Sequence, residues 1–236
     1  MSEPLVRATR DAYVGLENPT WEEWHAWHRA MLAERAAVIA RERIDLGTYE
    51  DADTAWSDTG LRQFFLFMYD TSFYDRDGSR YRTGELVDRW RAMYGRVDSV
   101  LLWHAYPRLG FDTRTQFDFY RDMPGGLSGL RRDVSDRLHA SKIRVFVDYN
   151  PWDAGTHAEL ADVVAALDAD GVMLDTLAAA PDSLVAAVRA RKRGVVFAPE
   201  LRPSDADLGR FRQSWAQGYE VGDRTVPTIY RHLWLV

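Results

Sequence analysis

Apolar residues along this chain fall into short uninterrupted runs, and segments of helical length separate them. Each run is rich in Val, Ile, Leu, Phe or Met without polar alternation, which is typical of a strand buried on both faces of a parallel sheet. The predicted strands are Gln63–Tyr69, Val97–His104, Ile143–Val147, Gly171–Leu174 and Gly194–Ala198, with a sixth candidate at Arg231–Val236.

The segments around these runs carry helical periodicity and helix-start signals. Thr20 with Glu23 forms a capping box, and we expect Thr83 to cap a second helix. The predicted helices are Trp21 to about Arg43, Thr83–Tyr94, Leu127–Ser141, Gly155 or Thr156 to Leu167, Pro181–Lys192 and Ser204 to about Gln217. Strands and helices therefore alternate in one order.

Five or six strand-helix units in one order predict an α/β fold with a parallel sheet and right-handed crossovers, of the (β/α)8 TIM-barrel type. Strand starts lie about 34 residues apart, so eight units would need two more beyond Val236. We therefore expect an N-terminal helical extension (1–60) and an incomplete barrel (61–236), which a partner chain or a missing C-terminal segment would complete. An open doubly wound sheet is the alternative, but no strand is followed by a Gly-rich phosphate turn.

Composition excludes several classes of protein. The formal net charge is −6, which argues against a nucleic-acid binder because no basic stripe offsets it. Cysteine is absent, so disulfides and thiolate metal sites are excluded. No secretory signal and no run of about 20 apolar residues is present, so we expect a soluble, cytoplasmic protein without membrane contact.

Carboxylates follow three of the predicted strands, at Asp148, Asp175 and Glu200. In parallel α/β folds, ligands bind at the carboxyl ends of the strands. Asp175 and Glu200 would come from adjacent strands and project into the same end of a barrel. A retaining glycosidase needs two such carboxyl groups about 5 to 5.5 Å apart. The spacing therefore predicts a glycosidic-bond hydrolase.

A family resemblance is carried by DGVMLDT, GVVFAPE, YNPWDAGT and the run from Trp103 to Leu130. These segments resemble uncharacterised bacterial proteins of the glycoside-hydrolase-like (β/α) barrel type, which are distantly similar to the α-amylase superfamily. The resemblance implies Asp175 as nucleophile and Glu200 as general acid/base. The sequence departs from the α-amylase pattern at Met173, where that pattern has Arg, and at Asn150, which precedes Pro rather than His.

Other polar and aromatic residues near the strand ends fill supporting roles under this hypothesis. Stacking platforms for a sugar would be Trp103, Tyr106 and Trp152. Groups that bind hydroxyls or orient the pair would be Asp70, His104, Arg108, Asp148, Asn150 and Asp153. The competing interpretation of such Asp and Asn residues is that they cap the next helix or fix a turn.

Two other functions stay open from the sequence. A metal-assisted hydrolase would draw its ligands from Asp148, Asp175, Glu200, His104 and His157, although no HxH or HExxH spacing is present. A carbohydrate-binding barrel without catalysis would use the same aromatic residues and carboxylates. No cofactor is implied, and the expected partner is a carbohydrate.

Overall fold

A computed structural model of the chain describes residues 20–60, 62–104 and 113–215. Its centre is a parallel sheet in which each strand pairs with the next strand of the sheet along the chain. Its strands are β1 (Gln63–Phe67), β4 (Ser99–Trp103), β5 (Arg144–Tyr149), β6 (Gly171–Leu174) and β7 (Val196–Pro199). A separate antiparallel hairpin joins β2 (Tyr74–Asp75) to β3 (Arg80–Tyr81). The five predicted strands are thus confirmed, with boundaries shifted by two residues at most.

Helices fill the connections between the strands, as predicted. They are α1 (Trp21–Glu42), α2 (Gly47–Glu50), α3 (Thr83–Tyr94), α4 (Asp118–Arg121), α5 (Gly126–Leu130), α6 (Asp136–Ala140), α7 (His157–Leu167) and α8 (Asp182–Arg191). A π-helical turn, Arg131–Ser135, joins α5 to α6, so the predicted helix at this place is continuous but not regular. Short 3-10 helices lie at Ala55–Thr59 and Asp205–Arg210.

Helix starts follow the predicted capping chemistry at one of two sites. The capping box of Thr20 and Glu23 forms at the start of α1, and Thr156 with Glu159 forms another at α7. The predicted cap at Thr83 is wrong, because Arg82 occupies the N-cap position of α3 and offers no side-chain cap. The Thr83 hydroxyl instead donates to the carbonyl of Asp133, 2.8 Å away, in the helix packed beside it.

The predicted helix from Ser204 is also wrong. Its first residues form only the 3-10 helix Asp205–Arg210, and residues 211–215 are not helical. Tertiary contacts hold this stretch: the Arg212 guanidinium donates to the carbonyl of Tyr49 and to the carboxylate of Asp58. Gly209 lies directly against the backbone of Asp45, where a side chain would not fit. Long-range hydrogen bonds therefore override local helical periodicity here.

The sheet separates two apolar layers, because alternate residues of a strand point to opposite faces. Helices cover one face, where Leu102, Val147 and Leu174 join the larger cluster of buried residues. On the opposite face Leu101, Phe146, Met173, Val196 and Ala198 form a smaller cluster with Trp56, Trp103 and Trp215. Burial on both faces explains why β4, β5, β6 and β7 read as continuous apolar runs.

Trp215 contacts both edge strands of this sheet. Its backbone N–H donates to the carbonyl of Pro199 in β7, and its indole N–H donates to Gln63 Oε1 in β1, both at 2.9 Å. Its ring lies 5.6 Å from that of Phe65, centroid to centroid. One residue thus links the two edges across the second face. The predicted sixth strand, Arg231–Val236, lies outside the described residues.

None of the helices in the described part of the chain is long and apolar enough to cross a membrane.

Candidate active site

Three strand ends place carboxylates on the same face of the sheet. Asp148 pairs in register with Met173, and Leu174 pairs with Pro199, so Asp175 and Glu200 each follow the last paired residue of neighbouring strands. By strand alternation these carboxylates share the face of Phe146, Met173 and Ala198, away from the main helical layer. The structure therefore brings together the three strand-end carboxylates that the sequence singled out.

Asp175 and Glu200 are close enough for their carboxyl groups to share a hydrogen bond when one of them is protonated. Burial, the hydrogen bond with Glu200 and the charge of Glu200 raise the pKa of Asp175 to about 7. Asp175 is only 5% exposed, and its Oδ2 meets no N–H or O–H donor among the described residues.

Thr176 holds the second member of this pair. Its backbone N–H donates to Glu200 Oε2 at 2.7 Å, and its φ of 57° lies in the left-handed region, which a β-branched residue seldom adopts. Its hydroxyl accepts the indole N–H of Trp152, 3.2 Å away. Trp152 itself is 54% exposed, so an aromatic ring stands open to solvent beside the carboxyl pair.

A buried His104–Asp148 pair lies beneath these groups. Both side chains are fully buried, and His104 Nε2 lies 3.1 Å from Asp148 Oδ2. Burial and the charge of Glu200 raise the pKa of Asp148 well above its usual range, and burial lowers the pKa of His104 to about 4. Their surroundings thus favour the uncharged carboxylic acid and the neutral imidazole. The Tyr120 hydroxyl accepts the Asp148 N–H at 2.8 Å and donates to the carbonyl of Leu102 at 2.7 Å, which fixes the backbone here.

Asn150 is fixed by a two-bond amide pair with Gln116. Gln116 Nε2 donates to the carbonyl of Asn150, and Gln116 Oε1 accepts its N–H, both at 2.9 Å. Asn150 Oδ1 accepts the N–H of Asp153, also at 2.9 Å. Asn150 Nδ2 is buried and has no acceptor in the described part of the chain. A rigid, unused amide donor therefore lies two residues beyond Asp148, directly after β5.

Other predicted site residues have different surroundings. Asp70 is exposed and accepts the N–H of Ser72 at 2.7 Å, a bond that lowers its pKa and fixes the turn after β1. Asp153 accepts the N–H of Ala154 at 2.7 Å in the loop before α7, although burial raises its pKa. Trp103 packs at 4.5 Å from Phe65, on the face that carries the carboxylates. Tyr106 and Arg108 lie outside the described residues.

Three residues of the site were not singled out from the sequence as functional: Gln116, Tyr120 and Thr176. Gln116 lies just before α4 and Tyr120 lies within it, in a connection between β4 and α5 that is rich in aromatic and charged residues, a composition that favours a functional segment without identifying the residue. The position of Thr176, directly after a strand-end carboxylate, is the signal that was available for it. Its positive φ could not be predicted from the sequence, because a β-branched residue seldom adopts that conformation.

A metal site is not apparent around these carboxylates. Across residues 20–60, 62–104 and 113–215, no three His, Cys, Asp or Glu side chains are arranged to hold a metal ion. His157, a ligand candidate from the sequence, instead contacts the Tyr149 hydroxyl at 3.2 Å and the Ser183 hydroxyl at 3.1 Å. Its two ring nitrogens therefore lie against hydroxyl groups from two other elements, Tyr149 in β5 and Ser183 in α8, and they connect α7 to both.

The fold and the site together define an α/β protein with a parallel sheet and a cluster of carboxyl groups at the carboxyl ends of its strands. No protein-family model, curated protein or solved structure matches this chain. The resemblance to barrel glycosidases thus stays a prediction, and function has to be argued from the site.

Proposed function

We propose that this protein hydrolyses a glycosidic bond, with Asp175 and Glu200 as the reacting carboxyl pair and the parallel sheet as part of a (β/α) barrel. The observation that carries the proposal is the contact between these two groups at the ends of neighbouring strands, where the pKa of Asp175 rises to about 7. The link that Trp215 makes between β1 and β7 supports a sheet that curves toward closure.

The protonation of the pair suits hydrolysis near neutral pH. Glycosidic cleavage needs one carboxylic acid to protonate the leaving oxygen and one carboxylate to attack the anomeric carbon or activate water. A carboxyl group is an effective proton donor when its pKa lies near the working pH, and burial beside another carboxylate is the usual way to reach such a value. Asp175 meets both conditions, because its pKa rises to about 7 through burial and the neighbouring Glu200.

Separation of the pair must increase when a sugar binds. The carboxyl groups touch in the structure, whereas an attacked sugar carbon needs room between them. Glu200 has the longer side chain, and its carboxylate is held by one N–H, so rotation about its side-chain bonds is the simplest way to open the gap. The resting contact would then store the proton that the reaction uses.

The surroundings fit an uncharged polyhydroxyl ligand. Trp152 offers an exposed flat ring, and Trp103 lies on the same face of the sheet as the carboxylates. Aromatic rings with polar edges stack well on sugar faces. Asn150 Nδ2 supplies a buried donor for which a sugar hydroxyl oxygen is a suitable acceptor.

A carbohydrate-binding protein without catalysis is the second candidate, favoured by one observation. Asp175 Oδ2 and Asn150 Nδ2 are buried without a hydrogen-bond partner in the described part of the chain, and sugar hydroxyls could satisfy both atoms without any reaction. Under this alternative the pair would only accept hydrogen bonds from sugar hydroxyls.

The test is hydrolysis of a panel of 4-nitrophenyl α- and β-glycosides by the full chain and by the variants Asp175→Asn and Glu200→Gln. We expect release of nitrophenol from at least one glycoside, and a loss of about 10²- to 10⁴-fold in each variant. Asp77→Asn, which makes the same chemical change on an exposed turn, should keep full activity.

Calorimetric titration with the matching free sugars separates the two candidates. Binding without hydrolysis of any glycoside would overturn the enzymatic proposal and support the binding protein. Hydrolysis that both variants retain would overturn the assignment of the pair.

A further inference from the structure

The backbone of Thr176 is unusual for its position. Among the described residues, the other non-glycine positive φ angles occur at Arg43 and Asp168, each the left-handed C-cap of a helix, at Lys142, just after a helix, and at Ser79, in a turn, so Thr176 is the one β-branched residue in this set. Thr176 caps no helix and directly follows Asp175. A β-branched residue is strained in this region, and such strain persists only where the surroundings impose it.

In this conformation the Thr176 N–H makes the carboxyl pair asymmetric. Glu200 Oε2 accepts that N–H at 2.7 Å, whereas Asp175 Oδ2 meets no donor in the described part of the chain. A hydrogen bond to a carboxylate favours its ionised form, and burial without a donor favours the protonated form. The hydrogen bonding therefore favours the ionised form of Glu200 and the protonated form of Asp175.

The other ionisable groups around the pair act in the same direction. From β5, the buried carboxyl group of Asp148 faces Glu200, and from the end of β4, His104 lies against Asp148. Burial favours the uncharged form of both. One negative charge in this cluster is thus best placed on Glu200, where a backbone donor meets it.

We infer that Asp175 carries the proton of the pair and Glu200 is the carboxylate, with Thr176 as the positioning residue that sets this order. The inference rests on the proposed function and reverses the roles that the family resemblance implies. In the hydrolytic step, the bond between the anomeric carbon and the leaving oxygen would break as Asp175 gives its proton to that oxygen. Glu200 would either form an ester with the anomeric carbon, which water activated by the deprotonated Asp175 then cleaves, or take a proton from the water that attacks this carbon directly. Trp152, bonded to the Thr176 hydroxyl, would join the sugar platform to the positioning residue.

The experiment is a pH titration of the full chain labelled with ¹³C at the Asp and Glu carboxyl carbons, followed by NMR. Asp175→Asn and Glu200→Gln assign the two signals. We expect the Asp175 signal to titrate at the higher pH, and the Glu200→Gln change to lower the Asp175 pKa by one unit or more. A Glu200 signal that titrates above that of Asp175 would overturn the inference.

The role of Thr176 is tested by removing its N–H alone. Incorporation of the α-hydroxy analogue of threonine at position 176 replaces that amide by an ester with the side chain unchanged. We expect the Asp175 and Glu200 pKa values to move toward each other by at least half a unit. If the two pKa values do not change, the positioning role of Thr176 is refuted.

A second variant keeps this test decisive if the ester does not fold. Thr176→Gly frees the strained backbone and removes the bond to Trp152, and it should also narrow the gap between the two pKa values. Ser79→Gly is the matched control, because Ser79 has a φ of 47° on the exposed turn between β2 and β3. Equal titrations for Thr176→Gly and Ser79→Gly would contradict the positioning role.

The outcomes distinguish this inference from the proposed function. NMR reports protonation whether or not the chain turns over a substrate. An Asp175 that holds the proton in a chain that cleaves no glycoside would refute the proposed hydrolysis alone. Hydrolysis lost in both variants, with Glu200 holding the proton, would refute the role assignment alone.

Discussion

Replacing Asp175 by Asn is expected to stabilise the folded chain above pH 7. Burial and Glu200 raise the pKa of Asp175 in the folded protein to about 7, whereas an unfolded Asp ionises near 3.9. Below about pH 4 both states are protonated, and the group has no effect on stability. Between about pH 4 and 7 only the unfolded state loses its proton, so stability falls as pH rises. Above pH 7 Asp175 is ionised in both states, so the full loss of stability that its raised pKa causes remains.

The magnitude follows from the size of the shift. About three pH units at 1.36 kcal/mol each would give roughly 4 kcal/mol. Because the shift is shared with Glu200 and solvent relaxes around a strand end, we take about half, or roughly 2 kcal/mol. Asn keeps the size of the side chain and adds an amide donor toward Glu200.

Urea unfolding followed by Trp fluorescence measures this effect. The free energy of unfolding of Asp175→Asn should exceed that of the parent by about 2 kcal/mol at pH 8 and by less than about 0.5 kcal/mol at pH 4.5. Asp77→Asn, on an exposed turn, should change neither value by more than about 0.5 kcal/mol. Asp175→Asn no more stable than the parent at pH 8 would refute the claim that the pair is held under electrostatic strain.

Three further substitutions test the packing that positions the site, each by urea unfolding. Tyr120→Phe removes a hydroxyl that bridges two buried backbone groups, and it should cost about 1 to 3 kcal/mol; a cost below about 0.5 kcal/mol would contradict the bridge. Gly171→Ala directs a methyl group into the ring of Phe146 and should cost about 1 to 3 kcal/mol, whereas Gly84→Ala, in open space, should be neutral or stabilising. Burial raises the pKa of Asp170, but bonds from His139 and the Val145 N–H outweigh it, so the pKa is lowered overall. Its contribution is therefore present above about pH 4 and lost as pH falls through the lowered pKa, so Asp170→Asn should cost about 2 to 4 kcal/mol at pH 7, and this cost should shrink as pH falls below about 4.

Sequence patterns predicted the sheet because its strands are buried on both faces. Runs such as GVML in β6 contain no polar residue, and they end where a carboxylate begins, so both strand and strand end were visible. The shared location of Asp148, Asp175 and Glu200 followed from parallel topology alone. Tyr106, Arg108 and the candidate sixth strand remain predictions.

Features that depend on tertiary contacts could not be predicted. The stretch after Ser204 has helical spacing, yet bonds from Arg212 to Tyr49 and Asp58 hold it in another conformation. The amide pair of Gln116 with Asn150 joins residues 34 positions apart. The contact between Asp175 and Glu200 depends on side-chain rotamers that the residue pattern does not encode. The hydrogen bond from the Thr176 N–H to Glu200 depends in addition on the unusual backbone conformation of Thr176.

The most direct test of the central claim is a double-mutant cycle on the carboxyl pair, with kcat/KM measured on the best nitrophenyl glycoside. If Asp175 and Glu200 act as one catalytic unit, Asp175→Asn combined with Glu200→Gln should be no slower than the slower single variant, within about threefold. Two results would show that the two carboxyl groups do not catalyse the reaction together. One is a loss of kcat/KM in the double variant equal to the product of the two single losses, and the other is full activity in either single variant.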